Sequence, residues 1–237
     1  MKPIIITIRR ILFLLSIVLL SCSQVNKYRD LPEVLAWENE IQKFEQLDKI
    51  EKYSPDALLF AGSSSIKLWT TLETDMSPYP VIQRGYGGAR LSDFAVYADR
   101  IIAPHPCKAI VIFIANDITG GDSDKSPKEV AALFRYVVKV IRKTHSQTPV
   151  FWIAVTPTAA RWKAWDEIQE VNRRIAAICS HNDNTLFIRT DFAFLDENGK
   201  PKTELFIDDK LHLNQQGYAI WTEIIKGQLE KVIPVTE

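Results

Sequence analysis

Four short blocks of this 237-residue chain carry residue types that together perform acyl transfer. "GSSS", residues 62–65, sets three serines behind an apolar run. "RGYGGAR", residues 84–90, supplies three glycines that let a backbone approach a ligand closely, and "AND", residues 115–117, adds an amide and a carboxylate. "DDKLHLN", residues 208–214, places Asp209 and His212 three apart. A serine hydroxyl is a weak nucleophile until a base removes its proton, and a histidine steadied by a carboxylate is such a base. These are the parts of a serine hydrolase. Singly, each block has a plainer reading as a loop, a turn or a helix cap. Of the four histidines, only His212 combines a carboxylate at short spacing with a polar loop ahead of a capped helix. His105, His145 and His181 read as surface or loop residues.

The blocks can meet only if the fold gathers them at one end. Short apolar runs at 57–61, 81–83, 109–114, 150–155 and 186–188 predict strands whose two-sided apolarity suits a buried parallel sheet. Helical patterns lie between most of them. Ser126 as N-cap, Pro127 at the first position and Glu129 reaching back predict a capping box, followed by Val130, Leu133, Phe134, Val137, Val138 and Ile141 on one face. Ile168, Val171, Ile175 and Ile178 mark another helix, and Asn214 caps a last one containing Trp221, Ile224 and Ile225. Val34, Trp37, Ile41 and Phe44 predict an amphipathic helix on the outside of the domain. The alternation specifies an α/β fold: a three-layer α/β/α sandwich on a five-stranded parallel sheet with right-handed crossovers. In such sheets ligands collect at the carboxyl ends of the strands, where the first three blocks fall.

In order and position the blocks resemble those of the SGNH hydrolases, or GDSL esterase/lipase family, from about residue 57 to 225. The versions "FAGSSSIKLW" and "RGYGGARLSD" are similar to a bacterial branch near platelet-activating-factor acetylhydrolase-like and carbohydrate-esterase-like members. The resemblance implies the flavodoxin-like SGNH hydrolase fold. It selects Ser64 among the three serines as nucleophile, with Ser63 and Ser65 structural, His212 as base and Asp209 as its partner. It also implies an oxyanion hole from the Ser64 and Gly88 backbone amides and the Asn116 side chain. The third block departs from the family pattern: Ile114 stands where glycine is usual, which questions the pocket's shape beside the oxyanion.

Substrate is read from residues 156–165, "TPTAARWKAW", which offer Arg161 and Trp162 near the expected site, with Tyr86 in the glycine block. Flat aromatic faces beside polar groups suit a sugar ring. The plainer reading has Trp165 packing inward and Trp162 covering it. No long apolar insertion supplies a lipase-type acyl groove, so short-acyl esters on carbohydrate are the expected substrate. A lipase or lysophospholipase, or a non-catalytic glycan-binding module on the same fold, are the alternatives. No cofactor and no metal are expected.

Lys2, Arg9 and Arg10 precede an apolar run at 11–20 that is too short to span a bilayer and has the order of an export signal. It ends in "LLSC", which resembles the lipobox of bacterial lipoproteins. That resemblance implies cleavage after residue 21, a lipid on Cys22, attachment to a bacterial envelope membrane, a tether over 22–30 and one domain over 31–237. Without residues 1–21 the chain keeps 26 basic and 29 acidic side chains, a net charge of −3, which excludes a broad nucleic-acid footprint. Cys107 and Cys179 remain and read as buried thiols.

Overall fold

The computed structural model describes residues 25–233. Five strands, β1 (Leu58–Gly62), β2 (Val81–Gly85), β3 (Ala109–Phe113), β4 (Val150–Ile153) and β5 (Thr185–Ile188), form one sheet in the order β2-β1-β3-β4-β5. All neighbours are parallel, with Leu58 opposite Val81 on one side and Ala109 on the other. The helices used below are α1 (Glu38–Ile50), α2 (Ser64–Lys67), α3 (Leu91–Ile102), α4 (Pro127–Thr144), α5 (Trp165–Cys179) and α6 (Gln215–Leu229).

Because strand side chains alternate, the sheet feeds two cores. Leu59, Ala61, Ile110, Ile112 and Trp152 pack with Ile41, Phe94, Phe134 and Ile168 from α1, α3, α4 and α5. Leu58, Phe60, Val111, Phe113 and Phe151 pack with Ile66, Trp221 and Ile225 from α2 and α6. Each fully buried aliphatic or phenyl group contributes ~1.5–3 kcal/mol, so both faces are committed. The strand order turns at β1, which has β2 on one side and β3 on the other. That switch point opens a crevice at the carboxyl ends of β1 and β3.

The N-terminal segment departs from expectation. Instead of a tether through residue 30, residues 25–29 are helical, and Val25 and Tyr28 are buried against the core. The Tyr28 hydroxyl donates to the Glu129 carboxylate, as does Lys27 Nζ at 2.7 Å. Glu129 is therefore turned to that segment and does not close a capping box, although Ser126 Oγ accepts the Glu129 N–H as expected. The stripe from Val34 to Phe44 is two pieces, a turn at Pro32–Leu35 and then α1, with Trp37 at the break. The export signal and Cys22 lie outside the described residues.

His105 and His145 lie in loops but are buried there, and pair through His145 Nε2 and the His105 carbonyl at 2.8 Å. His181 is exposed. Cys107 and Cys179 are free thiols, and burial pushes both up to about 12.

Candidate active site

β1 ends at Gly62 with φ +141°, and a Cβ there would lie 2.0 Å from the Phe113 carbonyl oxygen. Only glycine lets the chain turn so close to β3. Ser63 N donates to that same oxygen at 2.9 Å, and Ser64 opens α2, where a backbone N–H has no intrahelical acceptor. Ser63 and Ser65 are buried, and the Ser65 carbonyl accepts from Tyr218 Oη at 2.9 Å, tying α2 to α6. Ser64 alone of the three keeps partial exposure.

The second half of the site comes from the loop before α6. Lys210 takes a left-handed φ of +56°, which folds the loop so that Asp209 Oδ1 accepts the N–H groups of Leu211 and His212, both at 2.9 Å. Asp209 Oδ2 lies 2.6 Å from His212 Nδ1, and His212 Nε2 lies 2.9 Å from Ser64 Oγ. Asn214 then caps α6 by accepting the Gly217 N–H. Partial burial pulls the Asp209 carboxyl upward, but the His212 N–H, its imidazole and the Leu211 N–H outweigh it and hold the group below its ordinary value. The aspartate stays charged beside the ring. Ser64, His212 and Asp209 thus form one hydrogen-bonded relay.

Opposite the relay, Asn116 follows β3. Its Nδ2 donates to the Ala89 carbonyl at 2.8 Å, while its Oδ1 accepts from Arg161 Nη2 at 2.5 Å. Arginine has only donors, so these contacts fix which way the amide faces and leave one Nδ2 hydrogen without an acceptor among the described residues. Arg161 Nη1 also donates to the Ala115 carbonyl at 2.7 Å. Gly88, at φ +78°, adjoins Ala89. Buried carboxylates frame this glycine block: Asp93 accepts from Arg90 N at 2.9 Å and Tyr86 Oη at 2.7 Å, and Asp117 accepts from Leu91 N at 2.7 Å. Asp93 supplies only half of a capping box, because Arg90 at the N-cap has no acceptor, so the sequence carried no capping signal for it. Nothing in the sequence pointed to the grip of Arg161 on Asn116.

A model of the GDSL-like lipase/acylhydrolase family matches residues 61–220. The chain belongs to this family. It is a carboxylic ester hydrolase. No curated protein sequence matches it significantly. Among solved structures it is similar to a platelet activating factor protein from Streptococcus pneumoniae (TM-score 0.73, 19% identity, 83% of this chain and 94% of that one). It is also similar to a GDSL-like lipase from Bacteroides thetaiotaomicron (0.68, 18%, 81% and 98%). A third is a variant of an acetyl-xylooligosaccharide esterase from Geobacillus (0.61, 14%, 78% and 98%). The likeness is one of fold.

In this acylhydrolase the relay opens onto a cavity of about 20 Å³, lined among others by Ser64, Phe113, Asn116, Arg161, Leu211 and His212. That is room for one or two water-sized groups. The Thr156 and Thr158 hydroxyls are buried at its edge without a partner among the described residues. One expected substrate contact is corrected. Tyr86 is fully buried, its ring against Trp37 and Phe44 and its hydroxyl on Asp93, so it presents no face to a ligand. Trp162 stacks on Trp165 at 5.8 Å under Lys200 and does not line the cavity, whereas Arg161 does. Ile114 points into the core with α4 and α5, away from Ser64, so its bulk leaves the cavity unchanged.

Proposed function

We propose that Ser64 is the nucleophile of an esterase that removes short acyl groups, acetyl above all, from carbohydrate. The observation that carries this is the relay of Asp209, His212 and Ser64, with steps of 2.6 and 2.9 Å, above a cavity of about 20 Å³. His212 Nε2 takes the Ser64 proton as Oγ bonds to the ester carbonyl carbon, and the carbonyl pair moves to oxygen. The N–H groups of Ser64 and Gly88 and the free Nδ2 hydrogen of Asn116 receive that charge. The alcohol then leaves with the proton held by His212, and water repeats the sequence to free the acid. Asp209 steadies the imidazole in the required tautomer and its charged form. A cavity of this size favours acetyl over long chains, and a solved relative that acts on an acetyl-xylooligosaccharide supports the alcohol side.

An acyl-length series with the purified domain tests the reading. Specificity constants should fall from acetate to octanoate and vanish in Ser64→Ala. A rise with acyl length would favour a lipase or lysophospholipase, and equal rates in Ser64→Ala a binding module without chemistry. We also propose envelope attachment through a lipid on Cys22, supported by the charged-then-apolar leader and "LLSC". Labelled palmitate incorporated by the wild type and lost in Cys22→Ala would support it, and equal labelling of both would sink it.

A further inference from the structure

The segment ahead of β1 lies outside the residues that match the family model, yet it is firmly docked. Val34 is buried, and its carbonyl accepts from Tyr97 Oη at 3.2 Å. Docking holds Trp37 half-buried, its ring 5.1 Å from that of Tyr86 and its edge 3.4 Å from where a Gly88 Cβ would stand. With Tyr28, Gly88, Arg90, Ser123 and Lys125, Trp37 lines an open groove of about 480 Å³, within the range of small-molecule sites. Groove and Ser64 cavity are neighbours across one hydrogen bond: Asn116 of the cavity donates to the carbonyl of Ala89, between the groove residues Gly88 and Arg90.

We propose that this groove binds the sugar unit whose ester is cleaved at Ser64, with the Trp37 indole as the surface on which the ring lies. The inference rests on the esterase reading and adds the location of the alcohol side. A cavity of about 20 Å³ takes only the acyl group, so the rest of a substrate must lie outside it. The groove supplies what a sugar ring needs: an amphipathic aromatic for its C–H face, and a guanidinium, an ammonium and a hydroxyl for its hydroxyl groups. Arg90 Nη2 spends one donor on Ser123 Oγ at 3.2 Å, and Lys125 Nζ lies 3.4 Å from the buried Asp117, which holds both cations in place.

The test compares acetylated xylo-oligosaccharide with ethyl acetate, which is too small to span both sites. Trp37→Ala should lower kcat/KM for the oligosaccharide about tenfold more than for ethyl acetate, the scale of one aromatic contact. Because Trp37 also braces Tyr86, Ala36→Arg provides a second variant: it fills the groove from an exposed position and should show the same selective loss. Calorimetric titration of Ser64→Ala with the oligosaccharide should give binding that Ala36→Arg weakens. Equal losses on both esters, or no loss on the oligosaccharide in either variant, overturn the groove while leaving the esterase intact. A wild type inactive on ethyl acetate overturns the esterase reading instead.

Discussion

Carboxylates stand on both sides of the Ser64 cavity, held in opposite ways. Asp209 has a side chain 40% exposed, takes two backbone N–H groups and the imidazole, and lies below the ordinary carboxyl range. Asp93 and Asp117 are 3% and 5% exposed, and burial raises both, Asp93 to about 7 despite the Tyr86 and Arg90 donors. A half-open carboxylate whose desolvation is outweighed by its donors keeps its charge, and the relay needs that charge. Buried ones give up part of their ionisation to pin the backbone of the glycine block. One half of the site is arranged to move a proton and the other to stay still.

If that division holds, the proton-moving half is the more sensitive. Ser64→Ala and His212→Ala should each lower kcat on an acetyl ester by ~10⁴-fold or more, because either loss disables the whole relay. Asn116→Ala should cost ~10²–10³, the usual loss for one oxyanion donor. A loss in Asn116→Ala as large as in Ser64→Ala would erase the distinction between the halves.

Arg161 sharpens the same comparison. The sequence reading gives it to the substrate; in the structure it lines the cavity and gives two of its five N–H donors to Asn116 Oδ1 and the Ala115 carbonyl. Arg161→Ala should lower kcat by roughly 10–100-fold through misplacement of the amide, with KM little changed. In the double variant with Asn116→Ala it should add almost nothing, since both changes remove one interaction. Guanidinium ion in the assay should restore part of the rate. A raised KM with normal kcat would return Arg161 to substrate binding.

Much of this was legible because it is local. Five apolar runs gave the strands to within two residues, and the glycine that ends β1 and the Asp209–His212 spacing fixed two corners of the relay. What escaped depends on contacts between distant segments. Tyr86 reads as a binding aromatic until Asp93 and Trp37 are seen to enclose it, and Glu129 reads as a cap until Tyr28 is seen to claim it. A side chain at the edge of a block has no periodicity to show which way it faces. Ile114 illustrates the converse, since strand alternation alone, carried one residue past β3, sends it away from Phe113 and into the other core.

The smallest effect on turnover belongs to Asp93, which is 3% exposed at the floor of the groove and bonds only to the frame of the glycine block, so its measure is stability. In the folded protein its carboxyl binds a proton up to about pH 7, whereas an unfolded aspartate releases it near pH ~3.9. Between those values the native state holds more protons than the unfolded one, and stability must fall as pH rises, levelling above about 7. Below the lower value both states are protonated and the contribution is complete. The neighbouring Asp117 works in the same sense and Lys125 against it. Carboxylates below the ordinary range, among them Asp209 and Glu40, and the buried His105, which burial holds below its ordinary value, contribute in the opposite sense and cost stability as pH falls. Urea unfolding should therefore give greater stability at pH 5 than at pH 8, by roughly 1–3 kcal/mol after allowance for relaxation of the buried site. Asp93→Asn keeps a carbonyl for Arg90 N, lets the Tyr86 hydroxyl turn to accept, and cannot ionise. Its curve should be flatter over that range. A wild type at least as stable at pH 8 as at pH 5, or an Asp93→Asn variant with the slope unchanged, would show that the buried half of the site is not held by a carboxylate near its titration point.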